Sequence, residues 1–279
     1  MASDVVIKDA GREGARLAVR WAAQEGWNPG LHDAEAFYAA DPHGFRIAYL
    51  NGEVAGTYSI VRYDEGFAFG GFYIVRKEER GHGVGREMLA AVLREAEPYN
   101  FGADGVVAMV PTYERHGLCT HFRSARFLGR VQGRADVSLR SLDDVGVEAV
   151  EAYDRGIFLH PRPAFLKEFL AAPDTQVAVA TDSKGDLRGY GVLRPCVSGH
   201  KLAPLFSDSP AVAEKLFSHL ASLAPQEICL DVPGPNGEGN AMAVKHGMRE
   251  VFACARIYTK RPEPLPLDRI FGVTSFELG

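Results

Sequence analysis

Residues 75–93 read VRKEERGHGVGREMLAAVL, with glycines at 81, 83 and 85 standing between a charged turn and a helix-forming run. Glycine has no Cβ, so backbone N–H groups in such a stretch can turn toward a ligand at little steric cost. At a helix start the first N–H groups lack an intrahelical acceptor, and the helix dipole adds partial positive charge. Together these features read as a cradle for phosphate or pyrophosphate. Two familiar phosphate loops do not fit. A nucleotide P-loop carries Lys-Ser/Thr after its last glycine, where this chain has Arg86-Glu87. A dinucleotide fingerprint spaces its glycines G-x-G-x-x-G after a first strand; here the spacing is G-x-G-x-G and three strand-like runs precede it. What remains is Arg-x-x-Gly-x-Gly across Arg80, Gly83 and Gly85, with Gly81 as an accessory.

The surrounding pattern supplies the elements that must hold such a loop. Leu17, Trp21 and small alanines recur at helical spacing from about Arg12 to Gln24, and Gly26 stops the run. A turn-rich GWNPG leads into a short second helix. FRIAYL and the run from Glu53 read as strands joined by Asn51-Gly52, a hairpin signal. GFAFGGFYIV is a third strand, the glycine loop follows, and a helix runs to Pro98. GVVAMV, residues 105–110, reads as a short strand buried on both faces. The second half echoes this order: TQVAVATDSKGDLRGYGVL answers the hairpin, EICLDV answers GVVAMV, and HGMREVFACARIYTK answers ARFLGRVQGRADVSL. These correspondences predict two related domains, 1–140 and 141–279, joined around residues 138–148.

Strand, R-x-x-G-x-G and helix in this order resemble the GNAT superfamily of acyl-CoA N-acyltransferases. The resemblance implies an α/β (α+β) fold of two tandem GNAT-like domains, each a mixed, mostly antiparallel sheet flanked by helices. It implies acetyl-CoA as donor, its pyrophosphate held by the backbone of Arg80, Gly81, His82, Gly83, Val84, Gly85 and Arg86, and its pantetheine beside Ile74 and Val75. The Val75 N–H takes the role of carbonyl donor. RSARFLGRV looks like the family's closing segment, which puts the position of the thiolate-protonating tyrosine at Phe122. Tyr113, His116, Cys119 and His121 are nearby substitutes; Tyr113 and His116 are carried forward as catalytic candidates. GWNPGLHD falls where the family builds its acceptor wall, making Trp27, Asn28, His32 and Asp33 candidate substrate contacts. Glu78 and Glu79 precede the loop but read most simply as a solvated turn. The second half has no glycine cradle, so it is expected to support the first; the tail LDRIFGVTSFELG reads as a final strand or docked segment.

Composition narrows the function classes. A net charge of −5 argues against nucleic-acid binding through bulk electrostatics. The four cysteines form no C-x-x-C pair, so neither a disulfide framework nor a metal site is expected. The N-terminal stretch mixes charged and apolar residues, unlike a secretory signal, and no apolar run approaches a membrane span. The expectation is a cytoplasmic N-acetyltransferase moving an acetyl group from acetyl-CoA to a small-molecule amine by direct transfer, without metal, nucleic acid or membrane. The rival is a non-catalytic acyl-CoA sensor, motivated by Phe122. Oligomeric state is not legible.

Overall fold

The computed structural model describes residues 5–279. β1 (Val5–Asp9) enters α1 (Gly11–Gln24), whose Ala15, Ala18 and Ala22 are small enough to press the helix onto the sheet. After α2 (Asp33–Ala40), β2 (Phe45–Leu50) and β3 (Glu53–Arg62) form a hairpin. Asn51 and Gly52 both take positive φ at its tip, as a type I′ turn requires. β4 (Phe67–Val75) leads through the glycine loop into α3 (Val84–Ala96). Val84, Met88, Ala91 and Val92 give that helix a buried stripe. β5 (Asn100–Val106), α4 (Val110–Arg115) and β6 (Cys119–Gly129) complete the first half.

The second half repeats the plan after three helices, α5 (Leu142–Val145), α6 (Val147–Phe158) and α7 (Pro163–Leu170). β7 (Gln176–Thr181), β8 (Leu187–Pro195) and β9 (His200–Ser207) form an antiparallel meander. α8 (Pro210–Leu223) crosses over to β10 (Ile228–Pro233), parallel to β9, as α3 crosses from β4 to parallel β5. α9 (Gly237–Lys245), β11 (Arg249–Tyr258) and β12 (Ile270–Gly272) finish the chain. The mixed, mostly antiparallel character expected from the sequence is what the structure has.

All the strands belong to one sheet, with spatial order β1-β2-β3-β4-β5-β11-β6-β10-β9-β8-β7 and β12 paired to β9. Each half lends a strand to the other: β11 lies between β5 and β6, and β6 pairs with β10. Alternation along the strands divides the cores. Phe72 and Val179 face one core under α1, α2, α6 and α7, while Ala68 and Ala178 face separate cores under α3 and α8.

GVVAMV differs from its expectation. The strand starts earlier, at Asn100, and ends at Val106; Pro111 then helps start α4. Val106, Val107 and Met109 are exposed. Beyond Ala103, β5 no longer pairs with β4, and the apolar run borders the resulting gap.

Candidate active site

The glycine loop is bent where glycine is needed. Gly81 has φ +86° and Gly83 φ +89°, both in the left-handed region that side chains disfavour. Gly81 is therefore as conformationally necessary as Gly83, which spacing alone did not indicate. Gly83 is the N-cap of α3 and supplies no side chain to cap it. The first intrahelical bond runs from the Glu87 N–H to the Gly83 carbonyl at 3.2 Å, so the N–H groups of Val84, Gly85 and Arg86 have no helical acceptor. His82 is less available, because its N–H donates to the Glu79 carbonyl at 3.4 Å. Arg80 braces the loop: its Nε donates to the Val75 carbonyl at 3.0 Å and it pairs with Glu25 at 2.7 Å.

The corresponding turn in the second half is closed. Ser209 caps α8 by accepting from the Val212 N–H, and Pro210 at the first position has no N–H to offer. β12 lies against β9 and β10, with the Val273 N–H donating to the Asp231 carbonyl at 2.8 Å. The chain's own tail thus fills the gap between β9 and β10.

The matching gap in the first half is open. β4 and β5 pair only from Phe67 with Asn100 to Gly70 with Ala103. At the divergence β4 bulges: Phe72 takes φ +51°, and Phe72 and Tyr73 together oppose Tyr58. Beyond the bulge, the Arg76 N–H bonds the Ala55 carbonyl at 2.9 Å. By antiparallel alternation Val75, paired with Gly56, directs its N–H away from β3 and into the gap, whereas Ile74 belongs to the β3 ladder. A cavity of about 550 Å³ fills the divergence, from Gly85, Arg86 and Leu89 beside the loop to Trp27, Arg126, Phe252, Phe276 and Glu277 at its inner end.

Tyr113 and His116 both line this cavity. Tyr113 lies on α4 with its ring against Gly105, and burial raises its hydroxyl above the ordinary tyrosine value. Phe122 lies elsewhere: it is on β6, under the Arg256 guanidinium, and borders a separate cavity of about 380 Å³. The reading that put the acid position at Phe122 is therefore corrected. The turn that ends α4 is Gly117, φ +85°, followed by buried Leu118, and Tyr113 lies in the helix just before it. RSARFLGRV is part of strand β6 and its exit.

Of the expected substrate contacts, Trp27 lines the cavity. Asn28 and Asp33 are occupied in holding the chain together. Asn28 donates to the Ser198 carbonyl and accepts from the Ser198 N–H, at 2.9 and 2.8 Å. Asp33 receives Arg194 Nε and the Gly30 N–H, both at 2.8 Å. His32 immediately precedes α2 and is not among the lining residues.

The inner end carries a charge network that sequence reasoning missed. Arg126 grips Asp231 with two bonds of 2.6 and 2.7 Å and donates to the Trp27 carbonyl at 2.6 Å. Burial alone would raise the Asp231 carboxyl, but Arg126 outweighs it and holds that group below its ordinary value. Arg256 holds Asp104 in the same bidentate way, at 2.8 and 2.7 Å. Glu277 is buried beside these pairs, and burial raises its carboxyl above the ordinary glutamate value although Lys201 and Arg126 pull it down. The one sequence signal was the apolar spacing of Phe271, Val273, Phe276 and Leu278, which marks a docked tail without saying where it docks. Among the described residues no group of three or more His, Cys, Asp or Glu could hold a metal ion. No described helix is long and apolar enough to cross a membrane.

Compared with known proteins, residues 15–118 match the model described as the Acetyltransferase (GNAT) family, and residues 150–272 match the Acetyltransferase (GNAT) domain. The holothin acyltransferase of Pseudoalteromonas sp. (strain SANK 73390) is 29% identical over 277 residues, covering 98% of this chain and 94% of that protein. The uncharacterized N-acetyltransferase YitH of Bacillus subtilis (strain 168) is 22% identical, covering 75% of this chain and 76% of its own length. A structure from Pyrococcus horikoshii, assigned provisionally as an acetyltransferase, superposes with a TM-score of 0.82 at 19% identity, covering 99% of this chain and 96% of that one. A tandem GNAT protein from the clavulanic acid biosynthesis pathway gives 0.61 at 11% identity, covering 93% and 100%.

Proposed function

This chain belongs to the GNAT family and is an acyltransferase, and we propose that it moves an acetyl group from acetyl-CoA directly to the amine of a small molecule. The observation that carries the reading is the difference between two equivalent helix starts. α3 leaves its N–H groups open onto a cavity, whereas α8 caps its own beside a gap filled by the tail. The donor therefore belongs to the first half. Val84, Gly85 and Arg86 would hold the pyrophosphate, with Tyr73 and Val75 of β4 lying across from Gly85.

Transfer requires a neutral amine, a polarised carbonyl and a protonated leaving thiolate. At pH 7 an alkyl amine lies about three pKa units from neutral, which costs about 4 kcal/mol. The Val75 N–H faces the gap and can accept the developing oxyanion charge, a contribution worth roughly 3–4 kcal/mol. Tyr113, which lines the same cavity, would give its proton to sulfur, a role worth roughly 10²–10⁴-fold. Trp27, Phe252 and Phe276 form the acceptor end. A cavity of about 550 Å³ shared between pantetheine and acceptor suits a small, partly aromatic amine better than a protein side chain. The relative named for holothin acyl transfer supports the same reaction class. Tyr113 lines this cavity and Phe122 borders another, so the phenylalanine gives no reason to prefer a non-catalytic sensor.

Calorimetry with acetyl-CoA, paired with thiol release across a panel of aromatic and alkyl amines, tests the proposal. Saturable binding with amine-dependent release is expected. Failure to bind acetyl-CoA contradicts the choice of donor; binding without release on any amine contradicts the choice of acceptor.

A further inference from the structure

Glu277 stands apart from the other buried acids. Asp33, Asp104, Asp154 and Asp231 each face an arginine in a two-bonded pair. The Glu277 carboxylate has no hydrogen-bond or ion-pair partner among the described residues, yet its residue is only 5% exposed and lines the cavity that holds Tyr113. Its position is fixed by its own segment. The Glu277 and Leu278 N–H groups donate to Ser275 Oγ at 3.3 and 3.0 Å, and Tyr63 donates to the Leu278 carbonyl at 2.8 Å. The Glu277 carbonyl lies against Gly71, where a Cβ would come within 2.2 Å of it. Gly71 is the residue before the bulge, beside the point where β4 and β5 part. The tail therefore delivers a carboxylate to the cavity that Tyr113 also lines.

One cation in this region is also unmatched. Lys201 on β9 is fully buried and its Nζ has no hydrogen-bond partner. Lys201 and Arg126 pull on the Glu277 charge, and Asp33 and Asp231 push against it. Its charge is also felt at Arg194 on β8 and Cys254 on β11. Arg126 and Arg194 are committed to their aspartates. Lys201 is left as the free countercharge.

We propose that Glu277 is the catalytic proton acceptor for the amine, and that Lys201 is a positioning residue setting its proton affinity; this rests on the acetyl-transfer reading above. An acceptor ammonium gives a proton to the Glu277 carboxylate, and its lone pair attacks the thioester carbon. The N–C bond forms and the C–S bond breaks. Of the two protons nitrogen loses, one passes through Glu277 to solvent. The other replaces the proton that Tyr113 gives to the departing sulfur.

The test compares wild type, Glu277→Gln and Lys201→Met over about pH 6 to 10, reading thiol release from acetyl-CoA with the amine panel. Where no amine is taken, water is the acceptor and slow acetyl-CoA hydrolysis is read instead. Glu277→Gln should lower kcat roughly 10²–10⁴-fold and replace the acid limb of the pH profile with one that follows the free amine's own titration, with acetyl-CoA affinity unchanged by calorimetry. Lys201→Met, which removes an attracting charge from Glu277 and leaves the carboxylate in place, should move that limb to higher pH. A Glu277→Gln enzyme with wild-type rate and profile overturns the proposal. If that variant does not fold, an unmoved limb in Lys201→Met overturns it. A wild type that releases thiol to neither amine nor water overturns the acetyl-transfer reading instead.

Discussion

Gly71→Ala places a single methyl between β4 and the tail. The new Cβ would lie 2.2 Å from the Glu277 carbonyl oxygen and 3.0 Å from its carbonyl carbon and Cα. Normal contact begins near 3.5 Å, so the tail must withdraw by about 1 Å. Phe276 and Leu278 are buried on either side, so that withdrawal works against packed neighbours. Overpacking of this kind costs about 1–3 kcal/mol, which for a chain of this size lowers Tm by roughly 2–10 °C. A 1 Å displacement of a catalytic group can cost about 100-fold in rate. The expected result is folded protein with kcat down about 100-fold and acetyl-CoA affinity retained, measured by thiol release and calorimetry. On a Glu277→Gln background the same methyl should cost little further rate, because the group it displaces is already disabled. Gly156→Ala on the exposed face of α6, where a Cβ meets no atom within 4 Å, is the control and should stabilise by about 0.5–1 kcal/mol. Normal kcat in Gly71→Ala, or an equal loss on both backgrounds, would show that the tail does not position the base.

Three further outcomes follow from the same geometry. Gly83→Val forces a β-branched residue toward φ +89° and should weaken CoA binding about 100-fold by calorimetry, the equivalent of two charge-assisted N–H bonds. Ser209→Ala removes the α8 cap and should cost about 1 kcal/mol in denaturant titration while leaving CoA affinity untouched. Glu277→Gln should gain stability relative to wild type as pH rises. Burial raises the folded carboxyl above its unfolded value, so the protonated form favours folding and that contribution is lost through the folded pKa. Thermal melts from about pH 4 upward check it; a variant less stable than wild type at neutral pH would show the carboxylate serves the fold.

The glycine loop was legible because its chemistry is local: turn conformation, helix start and the strand before it all fall within some twenty residues. The repeat was legible for a similar reason, since each β-meander and crossover is built from neighbours in sequence. The exchange of β6 and β11 was not, because edge pairing between distant strands leaves no periodic trace in either. Tyr113 was among the candidates, but an aromatic in RSARFLGRV drew the register of the acid position to Phe122. The proposed acid, Tyr113, stands instead before the left-handed turn at Gly117 and the buried Leu118. Glu277 was the least legible residue. Its role depends on where an apolar tail docks, and Gly71, the residue that makes room for it, reads in sequence as one more glycine in a strand.

A crystal structure with CoA bound tests the account most directly. The account predicts pyrophosphate oxygens within hydrogen-bond distance of the Val84, Gly85 and Arg86 N–H groups. It also predicts pantetheine between β4 and β5, with its sulfur near Tyr113. Nucleotide at the start of α8, or CoA in the cavity of about 380 Å³ beside Phe122, would contradict it.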